Sequence, residues 1–273
     1  MPQGKIAIVG AGVAGSTAAL YLGQLGLDIT LFEKKDHISS GPPYCHLHAG
    51  GNLYREISDE QCISLLKQSI DFARYYPFIV DYRPTVIVLP KTDKKRPEDL
   101  IPRLNLLQDE YEKFIRLDKK NQILGPSKEY YRLYQKEDVA LLMEYPIVKK
   151  PVTHDEWMRI AIDNIDLENV QFPLVLVQEY GMNLFRYGVG LEMALVELDT
   201  VTLSKSTTVE EIERKDDKWN ITYNTEDSTS QTSFDYLINA SGFRTGTIDD
   251  MIEVDSQRMV EFKSSYITKW EEK

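Results

Sequence analysis

The chain has 273 residues, 42% of them hydrophobic and 27% charged, with a formal net charge of −11. That is enough for one large or two ordinary domains with a substantial core, and the composition is globular rather than disordered. The acidic balance argues against a nucleic-acid-binding surface, because phosphate backbones demand clustered Lys and Arg.

The first residues outline a complete βαβ start. A strand of small and β-branched residues, Lys5 to Val9, runs into Gly10-x-Gly12-x-x-Gly15. A small-residue helix is expected from there to about Gly26, followed by a second apolar strand, Asp28 to Phe32, that ends on Glu33. Each part has a mechanical reason in a dinucleotide site. Gly10 lets the chain turn off the strand, Gly12 lets the backbone approach a pyrophosphate, and Gly15 lets the helix pack closely on the sheet. The positive end of that helix then faces the phosphates. Glu33 is placed to accept both hydroxyls of an adenosine ribose. Val13 and Ala14 between the glycines, and Lys34 beside the acid, complete the expected contacts of this stretch. The apolar N-terminus is therefore read as a folded unit rather than a signal peptide.

A loop rich in Gly, Pro, Ser and His follows Glu33. Residues 58 to 76 read as a helix that Ser58 can cap, with Ile63, Leu66, Ile70 and Ala73 at helical spacing. Thr85 to Leu89 reads as a short strand, and a helix is expected from about Glu98 to Leu117, with shorter helices near 136–144 and 154–165. Phe172 to Gln178 reads as a strand and Asn183 to Leu198 as a helix. Strands are then expected at about 206–213, 218–223 and 234–240, the last two joined by a polar turn, NTEDSTSQ, and another at Met259 to Thr268. Residues 1–80 and 200–273 are accordingly expected to form a nucleotide-binding domain, with residues 81–199 inserted as a substrate or cap domain. No apolar run is long enough to cross a bilayer. Cys45 and Cys62, the only cysteines, offer neither a disulfide framework nor metal-ligand spacing, so no metal is expected and a cytoplasmic location is.

The opening motif alone does not choose between dinucleotides, but three separated blocks do. Residues 234 to 246, FDYLINASGFRTG, form a strand ending on Ala240, Ser241 and Gly242. Residues 204 to 214, SKSTTVEEIER, form another, and Tyr44-Cys45-His46-Leu47-His48-Ala49-Gly50-Gly51 lies in the loop after Glu33. With these blocks the sequence resembles the D-amino-acid-oxidase-like superfamily of FAD-dependent oxidoreductases. The resemblance implies an α/β fold, a Rossmann-like FAD-binding sheet with an inserted α+β substrate domain. It also implies that Ala240, Ser241 and Gly242 pass close to the cofactor, that the backbone of Val209 meets the adenine, and that Gly50 and Gly51 lie against pyrophosphate and flavin. Cys45 stands where the family usually has Ser, and His48 where it has Asn. Leu47 occupies the position at which some relatives attach the flavin through a histidine, so FAD is expected to be non-covalent.

The activity the resemblance implies is transfer of a hydride from a small amine, amino acid or hydroxy acid to FAD. A flavin monooxygenase using NAD(P)H, and a non-catalytic dinucleotide-binding module, are the alternatives. His46 and His48 are weak candidates for a catalytic base, since imidazole titrates near neutral pH. Tyr130, Tyr131, Tyr134, Tyr180 and Tyr187, with Arg132 and Arg186 beside some of them, are of the types that grip a substrate carboxylate, but nothing in their spacing singles them out. Family members continue well beyond the 234–242 strand, so the chain is expected to be a short variant or an N-terminal fragment. Substrate, electron acceptor and oligomeric state are left open by the sequence.

Overall fold

A computed structural model describes residues 4–38 and 57–255. In chain order β1 (Lys5–Val9) leads into α1 (Val13–Gln24), and β2 (Asp28–Phe32) follows. Next come α2 (Asp59–Tyr75), β3 (Val80–Asp81), β4 (Thr85–Ile87), α3 (Ile101–Leu117), β5 (Tyr131–Tyr134), α4 (Lys136–Leu142) and α5 (His154–Ile162). The remainder comprises β6 (Leu174–Val177), β7 (Gly181–Met182), α6 (Leu184–Val196), β8 (Val201–Ser204), β9 (Thr208–Lys215), β10 (Lys218–Asn224), β11 (Thr229–Phe234), β12 (Tyr236–Asn239) and α7 (Thr245–Met251). The strand expected at Met259 to Thr268 lies outside the described residues.

These residues divide into two compact units, residues 4–38 with 188–255, and residues 57–187. The first boundary therefore falls before α2 rather than at residue 80. Helix α2 is linked to the α3 region: Arg74 pairs with Asp118 at 2.9 Å just past α3, and Arg103 on α3 pairs with Asp59 at 3.0 Å. The return comes at residue 188 rather than 200, because Gly188 on α6 lies against the Ile38 carbonyl, where a Cβ would approach to 2.8 Å.

The first unit is built on a parallel sheet of order β12-β1-β2-β8. Its strands come from both ends of the unit: Ile6 is in register with Tyr236 and Ile29, and Ile29 also with Val201. Successive side chains of a strand point to opposite faces, so β1 and β2 serve two cores. Ala7, Val9 and Phe32 pack with Val209, Ile212, Ile221 and Phe234 of an antiparallel meander, order β11-β10-β9. The Phe32 ring meets Phe234 edge-on at 5.9 Å and Tyr223 at 5.0 Å. Val209 and Ile212, three residues apart, both face this core because the β9–β10 register shifts at Thr222/Tyr223. The expected long polar turn is shorter than the sequence implies: Thr225 and Ser228 close it, and Thr229–Phe234 pairs with β10 in full register. On α1, Gly23 allows close contact with β8, where a Cβ would reach 2.4 Å from the Val201 side chain.

The second unit has an antiparallel sheet of order β4-β6-β5. Its central strand, Leu-Val-Leu-Val, is buried on both faces, and Leu174 and Leu176 pack with Tyr134, Val139, Met158 and Ile162. Helix α2 begins as the sequence predicts, with the Ser58 hydroxyl accepting the Gln61 N–H at 3.2 Å. Among the described residues no helix is long and apolar enough to cross a membrane.

Candidate functional site

A cleft of about 290 Å³ opens in the first unit at the C-terminal ends of β1, β2 and β12. That is where open α/β sheets present their ligand sites, because strand ends and helix starts leave backbone groups exposed there. Four expected blocks converge on it: Gly10 and Gly12, Glu33 and Lys34, Val209, and Ala240, Ser241 and Gly242. Val13, Ala14 and Gly15 start α1 beside it without lining it. Gly50 and Gly51, the candidate bases His46 and His48, and Leu47, on which the non-covalent reading rests, lie outside the described residues.

The three glycines of the turn have different jobs. Gly10 has φ +101°, and a Cβ there would stand 2.7 Å from the Ala240 carbonyl, so it both reverses the chain and lets β12 approach. A Cβ on Gly15 would collide with the Gly10 carbonyl at 1.9 Å, so this residue folds the helix start back onto its own turn. Gly12 is the exception, since its missing side chain would meet nothing within 4 Å. It caps α1 without a side-chain hydrogen bond, and it faces open space in the cleft.

Glu33 is fixed by the fold. One carboxylate oxygen accepts the Ala11 N–H at 2.8 Å and the other the Lys35 N–H at 3.0 Å. A carboxylate offers roughly four lone-pair positions, so about two remain for outside hydroxyls. The next wall is held by the backbone, where the Thr207 N–H donates to the Glu33 carbonyl at 2.9 Å. Opposite, the Asn239 amide gathers the end of β12. Its carbonyl oxygen accepts the Ser241 hydroxyl at 2.7 Å, and its NH₂ donates to the Thr245 carbonyl and the Asp249 carboxylate at 3.0 and 2.8 Å.

The sequence did not single out Phe243, Arg244 and Thr247, nor the apolar floor from Ile248 and Met251, all of which line the same cleft. The signal available for the floor was the three-residue spacing of Ile248 and Met251, on a helix of seven residues that starts three residues after Gly242.

The tyrosines and arginines of the second unit are engaged internally. Arg132 pairs with Asp155 at 2.9 Å, and the Tyr134 hydroxyl donates to the same carboxylate at 2.8 Å. Burial, with that bond, pushes the Tyr134 phenol well above its ordinary pKa. Arg186 pairs with Asp81 and donates to the Phe78 carbonyl at 3.1 Å. The Tyr130 hydroxyl donates to the buried Glu179 carboxylate at 3.1 Å, and burial pushes Tyr180 up to about 12. Both guanidiniums thus already hold protein carboxylates. Among the described residues no group of three or more His, Cys, Asp or Glu is placed to hold a metal.

Fold and cleft together define a Rossmann-like α/β architecture with a cleft at its strand ends, and the comparisons agree with the fold. The family model for DAO, FAD dependent oxidoreductase, matches residues 5–75, in keeping with the resemblance read from the sequence. No curated protein matches the sequence. Among solved structures the fold is similar to L-proline dehydrogenase from P. horikoshii, with TM-score 0.53 and 14% identity over 91% of this chain and 55% of that one. It is also similar to L-α-glycerophosphate oxidase from Mycoplasma pneumoniae, solved with FAD bound, with TM-score 0.53 and 15% identity over 93% of this chain and 58% of that one. NikD, an amino acid oxidase of nikkomycin biosynthesis, gives TM-score 0.52 and 12% identity over 92% and 54%. The chain therefore spans a little over half the length of these proteins.

Proposed function

We propose that this chain binds FAD non-covalently and belongs to an oxidoreductase that oxidises a small amine, amino acid or hydroxy acid. The observation that carries the reading is the convergence of four sequence-distant blocks on one cleft around Gly12, the one glycine of the turn whose absent Cβ leaves free room. Gly10, Gly12, Val13, Ala14 and Gly15 would hold the diphosphate, Glu33 the ribose hydroxyls, and Lys34 and Val209 the adenine side. Ala240, Ser241 and Gly242 would border the cofactor from β12, and Gly50 and Gly51 from the loop after β2. When bound, FAD supplies a two-electron acceptor that protein side chains lack.

The chain's own contribution is orientation. Glu33 is held by two backbone N–H groups, and the 240–242 tip by Asn239, so both meet a ligand without rearranging. The inserted unit is assigned the substrate-binding role, and His46 or His48 the receipt of a substrate proton. Low cysteine content fits a reducing compartment, so the cytoplasm is the proposed location.

The visible spectrum of the purified protein, with and without added FAD, tests the reading. Flavin absorbance that remains with the protein through gel filtration supports it. An anaerobic screen of amines, amino acids and hydroxy acids should then bleach that absorbance. A protein that stays colourless in excess FAD refutes the proposal, and bleaching by NAD(P)H alone would replace it with a monooxygenase.

A further inference from the structure

Phe243 is 94% exposed, the most exposed large apolar side chain among the described residues, yet it sits on a cleft wall. A free-standing phenyl ring gains nothing from water and loses side-chain freedom if held there. The turn that carries it is fixed nonetheless. Gly242 turns with φ +61°, and its carbonyl accepts the Thr245 hydroxyl at 2.6 Å. The Asn239 amide ties the same turn from beneath. The neighbouring Arg244 lays its guanidinium over the Phe243 ring, 5.6 Å from the centroid.

Arg244 is unusual for its charge. In a chain of net charge −11, Arg74, Arg103, Arg116, Arg132 and Arg159 each pair with a carboxylate. Arg244 has no carboxylate partner among the described residues, and it too lines the cleft. The acid in that cleft, Glu33, accepts two backbone N–H groups and makes no ion pair with Arg244. An aromatic face and an unpaired cation therefore stand side by side on the wall formed after β12. At about 290 Å³ the space is near the lower end of the sizes of small-molecule sites.

We propose that Phe243 and Arg244 form the outer wall of the adenosine-diphosphate part of the site, Phe243 packing against the purine and Arg244 holding the diphosphate charge. This rests on the FAD reading above and adds two recognition residues to it. The division of labour follows from chemistry: a ring recognises any purine face, whereas a guanidinium distinguishes a charged ligand from a neutral one.

Calorimetric titration of the full chain with ADP and with adenosine separates the two roles. Arg244→Gln should weaken ADP binding about tenfold and leave adenosine unchanged. It should also flatten the fall of ADP affinity with added KCl. Phe243→Ala should weaken both ligands about tenfold, and Phe243→Tyr should restore them. Both side chains are exposed, so melting temperatures should stay at the wild-type value. Equal losses of ADP and adenosine in Arg244→Gln, or wild-type affinities in either variant, overturn the wall while leaving the FAD reading intact. A wild-type chain that binds neither FAD nor ADP overturns both.

Discussion

Replacing Gly12 and Gly15 separately by alanine isolates binding from folding, because the two positions differ sharply in the room available. At Gly12 the new methyl meets nothing within 4 Å, and the backbone, at φ −67° and ψ −172°, is one that alanine adopts freely. Alanine is a poorer cap than glycine by up to about 1 kcal/mol, but it also narrows the unfolded ensemble by about 0.4–1 kcal/mol. The two nearly cancel, so the melting temperature should stay within roughly 2–4 °C of wild type. ADP affinity should nevertheless fall at least tenfold, about 1.4 kcal/mol, because the methyl occupies the space a diphosphate needs. At Gly15 the methyl would lie 1.9 Å from the Gly10 carbonyl and 3.1 Å from the Ala240 methyl, so backbone must move. Overpacking of this kind costs about 3 kcal/mol, equivalent to roughly 6–12 °C. Thermal unfolding and calorimetric ADP titration on the same preparations measure both effects. A Gly12→Ala protein that binds ADP like wild type, or that melts as early as Gly15→Ala, would refute the assignment of Gly12 to the ligand.

Glu33→Gln leaves one of two backbone N–H groups, Ala11 or Lys35, facing an amide NH₂, so it should destabilise by about 1 kcal/mol in urea titration and weaken adenosine binding as well as ADP. Phe234→Ala, removing a ring that is 1% exposed and stacked edge-on to Phe32, should cost about 3–5 kcal/mol by urea midpoint. Burial lowers the His154 pKa below 6.5, so the folded state favours its neutral ring. The corresponding stability is fully present above pH 6.5 and is lost as pH falls through the lowered pKa. Urea midpoints at about pH 7.5 and about pH 5 should therefore diverge more in wild type than in His154→Gln.

The strand, turn and helix around Gly10, Gly12 and Gly15 were legible because apolar periodicity and glycine spacing agree there. Val209 was singled out by the family resemblance rather than by its pattern, and it lines the same cleft. The reason for Gly15 was only half visible, since it contacts its own turn and β12 as well as setting a helix against a sheet. Strand β8 left little trace: it is four residues long and borders β2 alone, so an edge position imposes no strong apolar pattern. Strand β11 read as a turn because only Phe234 of Thr-Ser-Gln-Thr-Ser-Phe is fully buried, while the ladder to β10 does the rest. Phe243 and Arg244 were missed because an exposed aromatic–cation neighbour pair has no sequence signature until a cleft is seen behind it. The division of the described residues sets α2 with residues 57–187 rather than with the first 80, and the links that tie it there, Arg74 to Asp118 and Arg103 to Asp59, join positions far apart in sequence.

The parallel sheet joins Ile6 to Tyr236, so β1 gains its outer neighbour only when nearly the whole described chain exists. During translation at about 5–20 residues per second, roughly 10–40 s separate emergence of β2 from that of β12. Throughout that interval the β1 edge that β12 will cover stays open, and the β2 edge waits until β8 has emerged, while residues 57–187 already contain all of their own described strand partners. Biogenesis should therefore proceed insertion first, with the parallel sheet completed last, and chaperone demand should concentrate on the waiting N-terminal strands.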